Sequence, residues 1–151
     1  MYVLGIETSC DETSAAVVKD GSTVLSNVVT SSLSLHSKYG GVIPEIAFRM
    51  QMETIAHVVD TAMHEAGKRV RDIGLIAVTD KPGLVGSLLV GVSFAKGVSL
   101  ARGIPLLGVN HLESHMYAPF LCGAKVSFPF IALIVSGGHT SLYLVKDFDR
   151  F

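Results

Sequence analysis

Two short apolar runs, Gly74-Leu75-Ile76-Ala77-Val78-Thr79 and Ile104-Pro105-Leu106-Leu107-Gly108-Val109, each follow a stretch long enough to be a helix. Short apolar runs between helical segments are the buried strands of an α/β fold, so this alternation sets the class. The first helix spans residues 44 to about 66. Pro44 suits its first turn and Gly67 its stop, with Ile46, Met50, Ile55, Val58, Val59, Ala62 and Met63 as the apolar stripe. The second spans residues 84 to 101 and is apolar nearly all round, so it is expected to be buried. Its Gly86, Gly91 and Gly97 cost helix propensity, about 1 kcal/mol each, and are read as points of close backbone packing. Lys81-Pro82-Gly83 before it reads as a type II turn.

Both ends of the chain read as hairpins. Tyr2-Val3-Leu4-Gly5-Ile6 and Ala15-Ala16-Val17-Val18 flank a polar turn, Asp20-Gly21 turns the chain again, and residues 23–29 make a third strand. Residues 31–41 read as loop. A third helix is expected to start at His111, with Asn110 as its N-cap. Residues 128–135 and 140–145 then form a hairpin around Ser136-Gly137-Gly138-His139. The order is βββ-α-β-α-β-α-ββ, a mixed sheet with flanking helices. The second hairpin restarts the pattern, which predicts a first subdomain over residues 1–127 and the opening of another over residues 128–151.

Composition narrows the function classes. With 12 Lys+Arg against 13 Asp+Glu the formal charge is −1, and 49% of residues are hydrophobic. A disordered acidic or basic chain is thereby excluded, and no basic stripe advertises nucleic acid. Residues 83–95 fall short of the ~18 apolar residues a membrane span needs. Two cysteines, Cys10 and Cys122, make no disulfide framework, and Glu7, Asp11 and Glu12 do not suit a secretory h-region, so no leader is expected. A reduced, cytoplasmic chain with no membrane role is expected.

The sharpest chemical signal is His111-Leu112-Glu113-Ser114-His115. Histidines four apart share a helix face and can reach one metal ion. A zinc peptidase needs Glu directly after the first His, where Leu112 stands, and Glu113 sits about 200° around the helix. The spacing therefore argues for a metal site and against the peptidase version; two surface histidines are the plainer alternative, and two ligands leave the site short. The small-residue turn Ser136-Gly137-Gly138-His139-Thr140 can wrap backbone N–H groups around an anion. The turn Glu7-Thr8-Ser9-Cys10-Asp11-Glu12-Thr13 matches it in setting but carries carboxylates, which suit a metal-bound water or a substrate amine. The helix start after Lys81-Pro82-Gly83 also favours anions.

Five ordered motifs resemble the TsaD (Gcp) family, once called O-sialoglycoprotein endopeptidases. They are residues 5–13, Tyr39-Gly40-Gly41-Val42-Ile43-Pro44-Glu45, residues 82–91, the His111/His115 pair, and Val135-Ser136-Gly137-Gly138-His139-Thr140. The resemblance implies the actin-like ATPase (ASKHA, ribonuclease H-like) fold of two related subdomains. It also implies transfer of a threonylcarbamoyl group from threonylcarbamoyl-adenylate to the exocyclic amine of an adenosine beside the tRNA anticodon. On it, His111 and His115 would ligate a divalent metal, iron or zinc; Ile134, Val135, Ser136, Gly137 and Gly138 would contact the adenylate or ATP; Asp11 and Glu12 would lie by the transferred group as the catalytic carboxylates. Partners would be tRNA, a paralogous actin-like subunit and other modification proteins. Family members are roughly twice this length, so an aspartate ligand and most of the second subdomain would lie beyond Phe151. The chain alone is expected to be inactive and to self-associate through exposed strand edges.

Three residues depart from the family pattern. Lys81 stands where glycine is usual, and Phe48 and Gln51 where serine and histidine are usual. Read as exposed departures near a site, they motivate the alternative of a non-catalytic domain that binds nucleotide or a partner. A metallopeptidase is the weaker alternative.

Overall fold

The computed structural model describes residues 1–36, 40–136 and 140–151, without the side chains of residues 34 and 35. Two compact units divide at His111.

In the first unit, Met1–His111, the strands β1 (Tyr2–Glu7), β2 (Glu12–Lys19), β3 (Thr23–Ser31), β4 (Ile73–Lys81) and β5 (Leu106–Asn110) form one sheet in the order β3-β2-β1-β4-β5. The first three run as an antiparallel meander, and β1, β4 and β5 are mutually parallel. Asp20 and Gly21 make the second reversal, from β2 to β3, with positive φ at both residues. The segment expected to be loop is partly ordered: β3 runs on to Ser31, and a one-turn helix α1 (Leu33–His36) follows.

Helices α2 (Pro44–Glu65) and α3 (Val85–Arg102) pack on the sheet, α2 over β2 and β3 and α3 over β4. Pro44 opens α2, and Gly67, at φ +62, stops it by taking the left-handed conformation a side chain would resist. The core is Leu4, Ile6, Ala15, Val17, Ile76 and Val78 from the sheet against Ile55, Val58, Val59, Ala62, Met63 and Ala95 from the helices. These are alternate residues of each strand and one stripe of each helix, the two periodicities that let a sheet and a helix share one apolar layer.

Two expectations fail. Helix α3 is not buried all round: among its residues Ser87, Gly91 and Ala95 are buried, while Val85, Leu89 and Leu100 are exposed. It is long and apolar enough to cross a membrane by length and composition. A two-layer packing covers only one side of a helix, whatever the apolarity of the other. The second failure is the type II turn at Lys81-Pro82-Gly83: Gly83 is not among the glycines with positive φ, which that turn requires at its third residue.

The second unit is Leu112–Phe151. Helix α4 (His111–Leu121) starts at the last residue of the first unit and runs into the second. Strands β6 (Phe130–Val135) and β7 (Thr140–Val145) pair antiparallel, with Ile131 opposite Leu144 and Leu133 opposite Leu142. Tyr117, Phe120, Phe128, Phe130 and Phe148 make an aromatic cluster with ring centroids 4.8–6.3 Å apart, and Met116 and Val145 of the same unit are buried.

Candidate functional site

Parallel strands present their C-terminal ends at one edge of the sheet, where α/β folds place their ligands. Here β1 ends at Glu7, β4 passes Thr79, and β5 ends at Asn110, so that His111 follows at the start of α4. The register Lys81↔Asn110 sets Lys81 beside that same end.

Glu7 is the centre of this edge. Thr79 Oγ1 donates to Glu7 Oε2 at 2.6 Å, the Ser9 N–H donates to Glu7 Oε1, and His111 Nδ1 lies 3.1 Å from Glu7 Oε2 and 3.2 Å from Ser9 Oγ. Burial alone would raise the Glu7 pKa. The hydrogen bonds from His111, Ser9 and Thr79 outweigh it and lower the carboxyl from 4.5 to about 2. The bond to Glu7 raises the His111 pKa in turn, against the opposing effect of burial. A carboxylate on Nδ1 makes that nitrogen the donor, so Nε2 carries the lone pair of the neutral ring. Carboxylates hold metal-ligating imidazoles in this way.

His115 is one helical turn further along α4 and is exposed. Two imidazoles one turn apart, the first with its tautomer set, suit two positions of a divalent metal's coordination sphere. Among the described residues no group of three or more His, Cys, Asp or Glu could hold an ion.

The turn between β1 and β2 is the second component. Its Asp11 is partly buried, and Glu12, the first residue of β2, is exposed. Its backbone is held from several sides. Gln51, on α2 and 1% exposed, donates Nε2 to the carbonyls of Glu12 (2.9 Å), Cys10 (3.0 Å) and Thr8 (3.5 Å). Ser87 Oγ donates to Cys10 O at 3.1 Å, and the Leu84 N–H to Ser9 O at 2.8 Å. Ser32 donates both its N–H (3.0 Å) and its Oγ (2.7 Å) to Asp11 O. Behind Ser32, the Ile43 N–H donates to His36 Nδ1 at 3.2 Å. That leaves Nε2 as the donor to Ser32 Oγ at 2.9 Å, which accounts for the buried His36.

Glycines bring α3 up against this turn. A Cβ on Gly83 would sit 2.5 Å from Ser9 O, and one on Gly91 would sit 2.4 Å from Thr8 Oγ1. Gly83 is therefore required for close approach rather than for a positive φ. Gly86 likewise lies under the Phe48 ring, whereas a Cβ on Gly97 would meet nothing within 4 Å.

The expectation that Phe48, Gln51 and Lys81 are exposed departures holds for Lys81 alone. Gln51 is buried, and Phe48, also on α2, is partly buried against Gly86 of α3. Sequence reasoning also gave Glu7 no partner. The usable signal for Gln51 was its place four residues after Ala47 and four before Ile55, on the buried stripe of α2. Nothing in the sequence pairs Glu7 with His111, 104 residues away.

In the second unit, Ile134 is half-buried, and Val135 and Ser136 are exposed at the end of β6. Gly137 and Gly138 lie outside the described residues.

Residues 23–151 match the family model described as TsaD: tRNA N6-adenosine threonylcarbamoyltransferase. Curated proteins with that name from Caldicellulosiruptor saccharolyticus and Syntrophus aciditrophicus are 56% and 57% identical over all 151 residues, which make up 45% of each relative. The chain thus spans less than half the length of the curated relatives it matches. Among solved structures, YeaZ from Pseudomonas aeruginosa aligns over 94% of this chain and 64% of its own, with a TM-score of 0.59 and 19% identity. A ROK hexokinase from Thermus thermophilus covers 97% of this chain and 46% of its own, with a TM-score of 0.57 and 21% identity. At such identities the likeness concerns the fold alone, which is the actin-like, ribonuclease H-like α/β fold.

Proposed function

Because the chain belongs to the TsaD family of tRNA N6-adenosine threonylcarbamoyltransferases, we propose that it is part of a cytoplasmic enzyme that transfers a threonylcarbamoyl group from threonylcarbamoyl-adenylate to an adenosine amine beside the tRNA anticodon. Residues 1–127 would be its first actin-like subdomain and residues 128–151 the opening hairpin of the second. The observation that carries the reading is the imidazole of His111, oriented by Glu7 at the parallel strand ends.

His111 and His115 are two of the ligands of a divalent ion, iron or zinc. When bound, that ion supplies Lewis-acid polarisation of the carbamoyl or phosphate oxygens. The adenosine amine nitrogen attacks the carbamoyl carbon, the bond from that carbon to the phosphate oxygen breaks, and AMP leaves. Asp11 or Glu12, on the held turn, accepts the proton the amine loses. Glu7 does not serve as that base: a carboxyl with a pKa of about 2 is too weak an acceptor. Ile134, Val135, Ser136, Gly137 and Gly138 contact the adenylate.

The remaining ligands, the rest of the nucleotide cleft and a paralogous actin-like partner complete the enzyme, so the 151-residue chain alone has no activity. The exposed apolar face of the β6–β7 hairpin supports self-association of this chain when those parts are missing. The test is threonylcarbamoyl transfer to tRNA by the full-length protein with and without His111→Ala. Loss of product is expected, and equal product from both would remove the metal role assigned to His111.

A further inference from the structure

Gln51 is a buried polar side chain that the chemistry above leaves unused. Its amide nitrogen has two N–H bonds and faces three carbonyl oxygens, of Glu12, Cys10 and Thr8, at 2.9, 3.0 and 3.5 Å. Three converging acceptors admit only the nitrogen end of the amide, so its orientation is settled by the network. The other end, Oε1, is buried and has no hydrogen-bond partner among the described residues. A buried acceptor left unsatisfied is costly.

Peptide groups are planar, so fixing a carbonyl fixes the whole peptide unit and the direction of the next Cα–Cβ bond. Gln51 holds the carbonyls on both sides of Asp11, those of Cys10 and Glu12, while Ser32 holds the carbonyl of Asp11 itself. The two carboxylates of the turn thus stand on a backbone pinned at three successive carbonyls, two of them by one side chain.

We propose that Gln51 is a positioning residue, which sets the direction of the Asp11 and Glu12 side chains by gathering the carbonyls of Thr8, Cys10 and Glu12 at one buried amide. This rests on the reading of Asp11 or Glu12 as proton acceptor in the transfer.

The experiment uses the full-length protein with Gln51→Met, which keeps length and volume but removes both donors. Cys10 lies inside the turn and is exposed, so its thiol reports the turn without reference to catalysis. Its modification rate by a neutral maleimide is read by peptide mass spectrometry in a Cys122→Ser background. Expected are a Cys10 rate raised on the order of tenfold, and a kcat lowered by up to about 10²-fold with KM for the adenylate donor little changed, as misplacement by ~1 Å would give. Gln51→His, which restores a ring N–H at the same place, recovers part of both effects. If Gln51→Met does not melt cooperatively, Gln51→Asn takes its place, because it withdraws the amide by one methylene. A Cys10 rate within about twofold of the parent in a folded variant overturns the proposal, and so does an unchanged kcat in a protein that transfers. If the unsubstituted protein transfers nothing, the functional reading fails, and the positioning role of Gln51 in that reaction falls with it. The Cys10 rate then reports only whether Gln51 holds the turn.

Discussion

The five-stranded sheet of the first unit and the β6–β7 hairpin of the second are built from similarly apolar strands, and they meet water very differently. Leu4, Ile6, Ile76 and Val78 are at most 3% exposed, whereas Ile131, Leu133, Leu142 and Leu144 are 51–68% exposed. The apolar alternation is present in both; what differs is the presence of α2 and α3 over one and of no comparable layer over that face of the other among the described residues. A two-stranded ribbon is marginal without such cover.

The largest effect to expect is on stability. Ile76→Ala should cost about 2–5 kcal/mol in chemical denaturation of the 151-residue chain, while Leu133→Ala should stay within about 0.5 kcal/mol. A large loss at Leu133 would mean that the hairpin face is covered after all, and the contrast would fall.

The same contrast runs through the histidine pair, for His111 is anchored by Glu7 and Ser9 of the first unit, whereas His115 is exposed on α4. Glu7→Gln in the full-length protein should weaken metal binding measured by calorimetry about 10–100-fold. An unchanged affinity would reduce Glu7 to a purely structural carboxylate.

The smallest effect is the pH dependence of the metal-free chain. Glu7 has its pKa lowered, so its contribution to stability is full above its unfolded value of 4.5 and declines as pH falls toward 2. His111 has its pKa raised, so its contribution is full below its unfolded value of 6.5 and is lost as pH rises through the folded one. The stability difference between the parent and Glu7→Gln should therefore peak between pH 4.5 and 6.5 and shrink on both sides. A flat difference in thermal melts across pH 3–8 would separate the two groups.

Much of the architecture was legible in the residues, because local patterns carry it. The span of α2 followed from Pro44, Gly67 and a 3–4 spaced stripe, and the hairpins followed from their turn residues. Helix α3 misled: its composition reports how apolar it is, not how many neighbours arrive to cover it. Gln51 misled for the complementary reason. A glutamine reads as surface until three backbone carbonyls of a distant turn are found around it.

By itself the sequence determined most of the element types and the family, and it named candidate residues for chemistry, since these depend on side-chain identity at short spacings. Only the tertiary structure decided which of them meet. Glu7 and His111 are 104 residues apart, and Gln51 and the turn it holds about 40. The parallel register of β1, β4 and β5 joins the first pair, and the packing of α2 on β2 joins the second. Sequence spacing constrains contacts along one helix or strand, whereas contacts between elements are set by how their faces pack.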